Sequence, residues 1–412
     1  MPIAAADRAV LRQLGERIAE IAALPAQQAS IRRWKALNAR RPERPMVMID
    51  QVCWHEMPIA DELAPRVAEP FWRGVEIGMR RLLYQWEHMR VDMVVEPWLE
   101  IPRAIRNTGF GMRIDEERAV LDPANGVVGH RYHDTISTDA DIDRIQTPRI
   151  SVDRDADARR AEEARALFAG ILETRMQGAQ PSFAPWDLLA MWRGPEAILY
   201  DLADRPQFLH RIMGRLTAAM LAMLDQLEEQ GALGYGHRTI HCSGAHTDEL
   251  PAPGFDAARP RPADLWTCGM AQIFSTVSPA THQEFELEYA NRWYERFGLV
   301  YYGCCEPLDD RIDVLRTIPH LRKISMSPWV NVARGAAQIG SDFVFSRKPS
   351  PALLAVDSWS VEPVRRDLQE VVDLCAAHGC PLEFILKDIS TVRYAPQRLW
   401  AWADAAMEVV GG

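Results

Sequence analysis

Leu299-Val300-Tyr301-Tyr302-Gly303-Cys304-Cys305-Glu306 is the stretch of sequence that decides the fold. Its apolar, aromatic and β-branched residues precede Pro307 and an acidic pair, a composition typical of a buried strand and its terminator rather than a helix. In α/β barrel enzymes the loops that follow the strands carry the chemistry. The two cysteines and the glutamate at this strand end are therefore the first candidates for a functional site.

The side chains of an extended strand alternate between its two faces. Alternation predicts Cys304 and Glu306 on one face and Cys305 on the other, so the two thiols are not expected to serve one site equally. Thiolate and carboxylate ligands suit zinc, which keeps a bound thiol ionised near neutral pH. The alternative is that these cysteines are small buried hydrophobes.

The composition indicates a globular protein of ordinary character. The 412 residues are 48% hydrophobic and 25% charged, and their number fits one decorated α/β barrel as well as two domains. The formal net charge of -10 is not segregated along the chain, so no basic face for nucleic acid is expected. Seven cysteines without a repeating spacing favour a reducing compartment. Since the N-terminus has no apolar leader and no run approaches a membrane span, we predict a cytoplasmic protein.

The order of segments predicts a helical extension followed by an α/β domain. Residues 1–40 have apolar residues at helical spacing, and residues 41–412 alternate strand-like and helix-like segments, as expected for parallel strands with crossover helices. Residues 105–155 break this alternation and are predicted to form an inserted β-type segment. The predicted strands are 46–49, 93–95, 188–191, 239–241, 265–273, 299–304, 323–326, 343–345 and 384–389. The clearest predicted helices are 209–229, 279–297 and 361–378.

Two further groups of candidate residues follow predicted strands. Asp50, His55 and Glu56 come after the first strand, where a carboxylate beside an imidazole suits acid–base work, although Asp50 could equally cap a helix. His241 begins a loop with Cys242, and zinc is compatible with both types, although ordinary polar loop residues are the alternative.

Lys387 and Asp388 end the last predicted strand. A lysine buried toward a barrel interior must find a carboxylate or lose its charge, so an ion pair between these two residues is the favoured interpretation. Alternation along an extended strand predicts that only one of them faces a pocket. Lys323, near the start of another strand, is subject to the same constraint.

Several of these segments together resemble the uroporphyrinogen decarboxylase superfamily. They are Lys323-Ile324-Ser325-Met326-Ser327-Pro328-Trp329, Gly303-Cys304-Cys305, Leu386-Lys387-Asp388-Ile389-Ser390, and the turn at Ser278-Pro279 followed by Glu284, Glu286 and Trp293. The resemblance runs from about Arg44 to the C-terminus. It implies a single (β/α)8 TIM barrel over residues 41–412.

The superfamily contains cofactor-free decarboxylases of the haem pathway and zinc-dependent methyltransferases that work with corrinoid proteins. The decarboxylases carry an Arg-Gln-Ala-Gly-Arg stretch after the first strand, whereas this chain reads Asp50-Gln51-Val52-Cys53-Trp54-His55-Glu56 there and offers no arginine to substrate carboxylates. The methyltransferases carry His-x-Cys and a later Cys. Here only Cys304 matches, with Tyr302 in place of the His and Lys387-Asp388 in place of the later Cys.

The resemblance therefore implies a zinc-dependent methyltransferase that moves a methyl group between a small methylated compound and a separate corrinoid protein. Cys304 would anchor the zinc, with Glu306, His241 or Cys305 among the remaining ligands. It also implies a homodimer. Two alternatives stay open, namely a metal-free lyase in which Asp50 or His55 protonates a carbanion, and a barrel that binds a ligand without turnover.

Overall fold

The computed structural model of the protein describes residues 3–58 and 61–411. The first two residues of the predicted helical extension lie outside this range. Strands, in chain order, are β1 Met46–Ile49, β2 Trp98–Pro102, β3 Ile105–Asn107, β4 Glu116–Ala119, β5 Gly129–Tyr132, β6 Ile150–Val152, β7 Glu173–Gln177, β8 Thr239–Ile240, β9 Ser243–Gly244, β10 Trp266–Gly269, β11 Leu299–Tyr302, β12 Leu321–Met326, β13 Val344–Arg347 and β14 Leu382–Leu386.

The helices surround these strands and follow the amphipathic segments of the sequence. They are α1 Ala5–Ala22, α2 Pro25–Asn38, α3 Pro70–Met89, α4 Asp139–Ile142, α5 Arg154–Phe168, α6 Pro185–Arg193, α7 Pro195–Asp204, α8 Pro206–Glu229, α9 Pro279–His282, α10 Glu288–Tyr294, α11 Ile312–Leu315, α12 Val332–Ile339, α13 Glu362–Ala377 and α14 Gln397–Val409. A π-helical turn, Gln283–Leu287, joins α9 to α10. No helix in residues 3–58 or 61–411 is both long and apolar enough to cross a bilayer.

Six parallel strands form the central sheet, in the order β1-β14-β13-β12-β11-β10. Each residue of β11, β12, β13 and β14 is buried. Strands that are buried along their whole length are typical of a parallel sheet covered on both faces by helices. The prediction of an α/β fold with a parallel sheet is confirmed, and closure of eight strands into a TIM barrel stays a prediction.

Smaller strand pairs lie outside the central sheet. Strand β2 pairs with β7 in parallel, while β3 pairs with β6 and β4 pairs with β5 in antiparallel fashion. The antiparallel pairs fall within residues 105–155, where the sequence predicted an inserted β-type segment. Helices α1 and α2 occupy most of the predicted N-terminal extension. The domain boundaries themselves stay a prediction.

Two predicted strands are wrong. Residues 188–191 belong to α6, in which Trp186, Leu189 and Trp192 are buried at helical spacing after Pro185 at the first helical position. A short apolar run is compatible with a buried helix as well as with a strand. Here the spacing of three residues between the buried side chains indicates the helix. Residues 93–95 are irregular, and the strand begins later, at Trp98.

Candidate functional site

The loop after β11 brings both cysteines of the Cys-Cys-Glu stretch to one place. Gly303 has φ +93°, and a β-carbon there would lie 2.4 Å from a side-chain carbon of Leu308, so the turn requires glycine. This turn ends the extended conformation before Cys304, and the predicted alternation is therefore wrong. The Sγ atoms of Cys304 and Cys305 lie 3.6 Å apart.

The end of β14 supplies a lysine and a carboxylate to the same thiols. Lys387 Nζ lies 3.3 Å from Cys304 Sγ and 2.9 Å from Asp388 Oδ2, and Asp388 Oδ2 lies 3.6 Å from Cys305 Sγ. The predicted ion pair between Lys387 and Asp388 is present. Asp388 has φ +56°, which turns the chain out of the strand, so the prediction that only one of the two faces the pocket is wrong.

Because of these contacts, the two thiols differ in pKa. The hydrogen bond from Cys304 lowers the pKa of the Cys305 thiol, against the effect of burial. The same hydrogen bond, together with burial, raises the pKa of Cys304. Burial opposes a charged Lys387, but the thiol sulfur of Cys304 and the carboxylate of Asp388 outweigh it and raise the lysine pKa. Cys305 is thus the thiol that ionises first.

Lys348, directly after β13, is a further cation of this site that the sequence pattern did not indicate. It is buried, donates hydrogen bonds to Tyr301 Oη and to Ser346 Oγ, and lies over the Tyr301 ring. Its pKa is lowered to about 7, chiefly by burial; the charge of Glu383 opposes this shift, and the charge of Lys387 adds to it. Its only sequence signal is its position directly after a short apolar strand. We call Cys304, Cys305, Lys348, Lys387 and Asp388 the lysine–thiol centre.

His241 and Cys242 lie in a strained turn beside this centre. Their φ values are +42° and +68°, a region that side-chain-bearing residues rarely adopt and that is common at functional sites. Burial lowers the pKa of His241 well below its usual value, and the charges of Lys348 and Lys387 act in the same direction. Its Nε2 atom is buried with no hydrogen-bond partner among the residues described. The histidine therefore presents a neutral ring.

Asp50, at the end of β1, connects this turn to the first strand. Its backbone N–H donates to Leu386 O at 2.9 Å, which holds it next to the end of β14. Burial raises the pKa of Cys242, and the charge of Asp50 and a hydrogen bond to it contribute to that shift. Asp50 thus lies beside the end of β14 and the turn that carries Cys242, and its catalytic role stays a prediction.

His55 and Glu56 have a different environment. Glu56 is buried and accepts hydrogen bonds from Thr391 Oγ1 and Val392 N, both at 2.6 Å, and from Tyr394 N at 3.0 Å. These bonds hold the loop that follows β14. His55 Nε2 lies 3.6 Å from Glu56 Oε1, longer than a hydrogen bond, and has no hydrogen-bond partner among the described residues. Glu56 therefore stabilises the loop after β14, and an acid–base role for His55 and Glu56 stays a prediction.

Glu306 turns away from the thiols and into the protein. Its carboxylate accepts from Cys304 N at 2.9 Å and from Ala271 N at 3.2 Å, and burial raises its pKa. Next to it lies Glu286 of the π-helical turn. Burial, followed by the charges of Asp187 and Glu306, raises the pKa of Glu286 well above its usual value. Within the described residues neither oxygen of Glu286 has a hydrogen-bond partner.

A third buried lysine, Lys323, is held in the sheet itself. Its Nζ atom lies 2.8 Å from Glu383 Oε2 and 2.6 Å from Ser243 Oγ, and all three side chains are buried. The requirement that a buried lysine find a carboxylate is therefore met by a residue on β14, two strands away. The pair fixes β8–β9 against the central sheet and positions the turn that carries His241.

The predicted zinc ligands Cys304, Cys305, Glu306 and His241 do not fit a zinc ion as they are arranged. In residues 3–58 and 61–411, no group of three or more histidine, cysteine, aspartate and glutamate side chains has the geometry to hold a metal. Glu306 is committed to backbone N–H groups. The ammonium of Lys387 contacts Cys304 Sγ, so a divalent cation there would meet a like charge.

Replacing that ammonium gives a direct test of zinc binding. Two sulfurs on one tetrahedral zinc lie about 3.8 Å apart, close to the separation of the two thiols. We expect Lys387→Met to bind zinc at least about tenfold more tightly than the wild type, since a like charge is removed. Competition with a chromophoric chelator under reducing conditions measures the affinity. Lys35→Met, on the surface, is the control, and unchanged zinc affinity in Lys387→Met would contradict the expectation.

Comparisons with known proteins found a similar fold but no matching family. No family model matches the chain, and no curated protein matches its sequence. Among solved structures, the chain is similar to a methyltransferase from Methanosarcina mazei, with a TM-score of 0.50 and 12% sequence identity over 92% of this chain and 98% of that one. At this identity the similarity shows a shared fold alone.

Proposed function

We propose that the protein is a methyltransferase, which moves a methyl group between a small methylated compound and a separate corrinoid protein. One observation carries the proposal: two thiols and Lys387 meet where parallel strands end, with the buried Lys348 near enough for the charge of Lys387 to affect its pKa, in a fold similar to that of a known methyltransferase. Side chains at this end of a parallel sheet carry the chemistry of α/β enzymes.

The finer fold that we propose is the TIM barrel. The first strand, β1, pairs with the last, β14, as the closing strands of a barrel do. Strands β1 and β10 are the two edges of the six-stranded sheet. At the β1 edge the N–H of Asp92 donates to Val47 O at 3.2 Å, and at the β10 edge a parallel bridge joins Gly269 to Phe183. Strands β2 and β7 lie between Asp92 and Phe183 in the chain and pair with each other in parallel. The connections favour a ring whose carboxyl ends surround the lysine–thiol centre.

Lys348 is the group best suited to proton transfer in such a reaction. When the methyl carbon forms its new bond to the partner's nucleophile, its bond to the donor heteroatom breaks and the electron pair stays on that heteroatom. The heteroatom then needs a proton, and a general acid works best when its pKa lies near the working pH. Lys348, with a pKa lowered to about 7, is such an acid. In the reverse direction the neutral amine accepts the same proton.

The thiol pair and Lys387 provide the electrostatic setting for the heteroatom. Lys387 stays protonated because its pKa is raised, and it places a fixed positive charge beside Cys304. A fixed cation in a buried site stabilises the negative charge that develops on a leaving group. Zinc remains a predicted cofactor, but no step depends on it, since the described residues do not assemble its site.

A second candidate is the metal-free lyase. The segment after β1 has no arginine to bind a substrate carboxylate. The two cations of the lysine–thiol centre, Lys348 and Lys387, would pair with that carboxylate instead. Asp50, next to the same site, would then protonate the carbanion. This candidate predicts turnover of a small carboxylic acid that is indifferent to chelators and to corrinoids.

The experiment that tests methyl transfer uses free cob(I)alamin as the acceptor. The wild-type protein is mixed with methanol, trimethylamine or 2-methoxyphenol in turn, and methylcobalamin is followed by its absorbance. Parallel reactions contain added zinc or a chelator. We expect methylcobalamin to form with at least one donor at a rate well above that of a reaction without protein. Failure with every donor, in the presence and absence of zinc, would contradict the proposal.

A further inference from the structure

A large cavity lies between α3 and β2, away from the lysine–thiol centre. Its volume is about 750 Å³, and its walls include Phe71, Val75 and Met79 of α3 together with Trp98 and Leu99 of β2. This size and apolar character are typical of sites for small organic ligands. None of the five residues of the lysine–thiol centre is among its lining residues in the part of the chain that the structure describes.

Two glycines inside α3 keep this cavity open. Gly74 and Gly78 are one helical turn apart and both line the cavity. A glycine in a helix interior is destabilising relative to alanine, and a close neighbour usually explains it. Here no described heavy atom, outside the helix backbone and adjacent residues, lies within 4 Å of a β-carbon built at either position. Both glycines are exposed, so close packing does not explain them, and they leave this face of the helix open.

The polar end of the cavity carries a carboxylate. Glu100 lines the cavity, its side chain is 23% exposed, and its Oε1 atom lies 3.5 Å from Arg238 Nε. A carboxylate is a strong hydrogen-bond acceptor, so a ligand that donates an O–H to the exposed part of this side chain would be stabilised there. Phe71 and Trp98 provide aromatic surface next to it.

A smaller space lies next to this polar end. It has a volume of about 230 Å³, shares the lining residues Leu82, Glu100 and Arg238 with the large cavity, and is also lined by Asp50 at the end of β1. The carboxylate of Glu100 therefore lies on the side of the large cavity that faces β1.

We propose that the large cavity binds an aromatic molecule that carries a hydroxyl group, with its ring between α3 and Trp98 and its O–H donated to Glu100. Gly74 and Gly78 make room for the ring. The inference does not depend on methyl transfer, because it concerns binding alone.

The test is a fluorescence titration of the full-length protein with 2-naphthol, and with naphthalene, which lacks the hydroxyl. We expect saturable binding of 2-naphthol, about tenfold tighter than that of naphthalene because one hydrogen bond is lost. Gly78→Leu, which fills the cavity, should weaken 2-naphthol binding by at least about tenfold. The matched control is Gly214→Leu in α8, a helix glycine whose β-carbon would also have no described atom within 4 Å but which lines neither space.

Three results would overturn the proposal. The first is the absence of saturable 2-naphthol binding by the wild type, and the second is equal binding by Gly78→Leu and Gly214→Leu. The third is equal affinity for 2-naphthol and naphthalene, which would leave Glu100 without a role. Loss of methyl transfer without a change in 2-naphthol binding would bear on the proposed function and not on the cavity.

Discussion

Lys348→Met is expected to slow methyl transfer by about 100-fold or more, since a positioned general acid contributes roughly that factor. The side chain is buried and hydrogen-bonded to Tyr301 and Ser346, so no solvent group replaces it easily. Methionine preserves most of its volume and removes only the proton donor. The loss should appear in the rate of methylcobalamin formation at saturating donor.

The dependence on pH separates this role from a structural one. Burial lowers the pKa of Lys348 to about 7, so the fraction able to donate a proton falls as the pH rises through that value. The wild-type rate should therefore decline above about pH 7, and Lys348→Met should lose this limb of the profile. Lys35→Met, a change in a surface lysine, should keep it. An unchanged profile in Lys348→Met would rule out the acid role.

Glu286→Gln is expected to make the folded state more stable at neutral and alkaline pH. Burial raises the pKa of Glu286, and neither of its oxygens has a partner among the described residues. Between the unfolded and folded pKa values the folded state holds a proton that the unfolded state releases. The free energy of unfolding therefore falls as pH rises, by up to about 1.4 kcal/mol for each pH unit in that window. Glutamine removes this contribution.

Urea unfolding of both proteins between about pH 5 and about pH 8.5 measures the slope. Glu284→Gln is the matched control, because Glu284 lies on the same π-helical turn but is about half exposed and paired with His210 at 3.1 Å. Glu306 and Asp187 also have raised pKa values, so part of the slope should remain in Glu286→Gln. Equal slopes in the wild type and Glu286→Gln would contradict this account of the buried carboxyl group.

Local sequence predicted where the buried strands lie, because their apolar runs carry that information by themselves. The predicted segments 299–304, 323–326 and 384–389 overlap β11, β12 and β14. The same pattern failed at 188–191, where a short apolar run belongs to α6. Neighbouring Pro185 and the spacing of the tryptophans distinguish the two, and both require a longer window than four residues.

The orientation of the site residues could not be predicted from alternation. Alternation holds only while the backbone stays extended, and Gly303 and Asp388 both have positive φ. Each strand therefore ends before its functional side chains, which face one another instead of alternating. Lys348 was missed for a related reason, since its significance depends on Lys387, which lies on the next strand and 39 positions later in the chain.

The central claim is that methyl transfer takes place at the lysine–thiol centre. The most direct test compares methylcobalamin formation by the wild type with that by the double variant Cys304→Ala/Cys305→Ala. The control is Cys375→Ala/Cys380→Ala, which removes another pair of neighbouring thiols, in α13 and just after it. Circular dichroism checks that both double variants are folded. We predict that Cys304→Ala/Cys305→Ala loses at least about 99% of the rate while the control keeps most of it. Equal rates in the wild type and in Cys304→Ala/Cys305→Ala would contradict the claim.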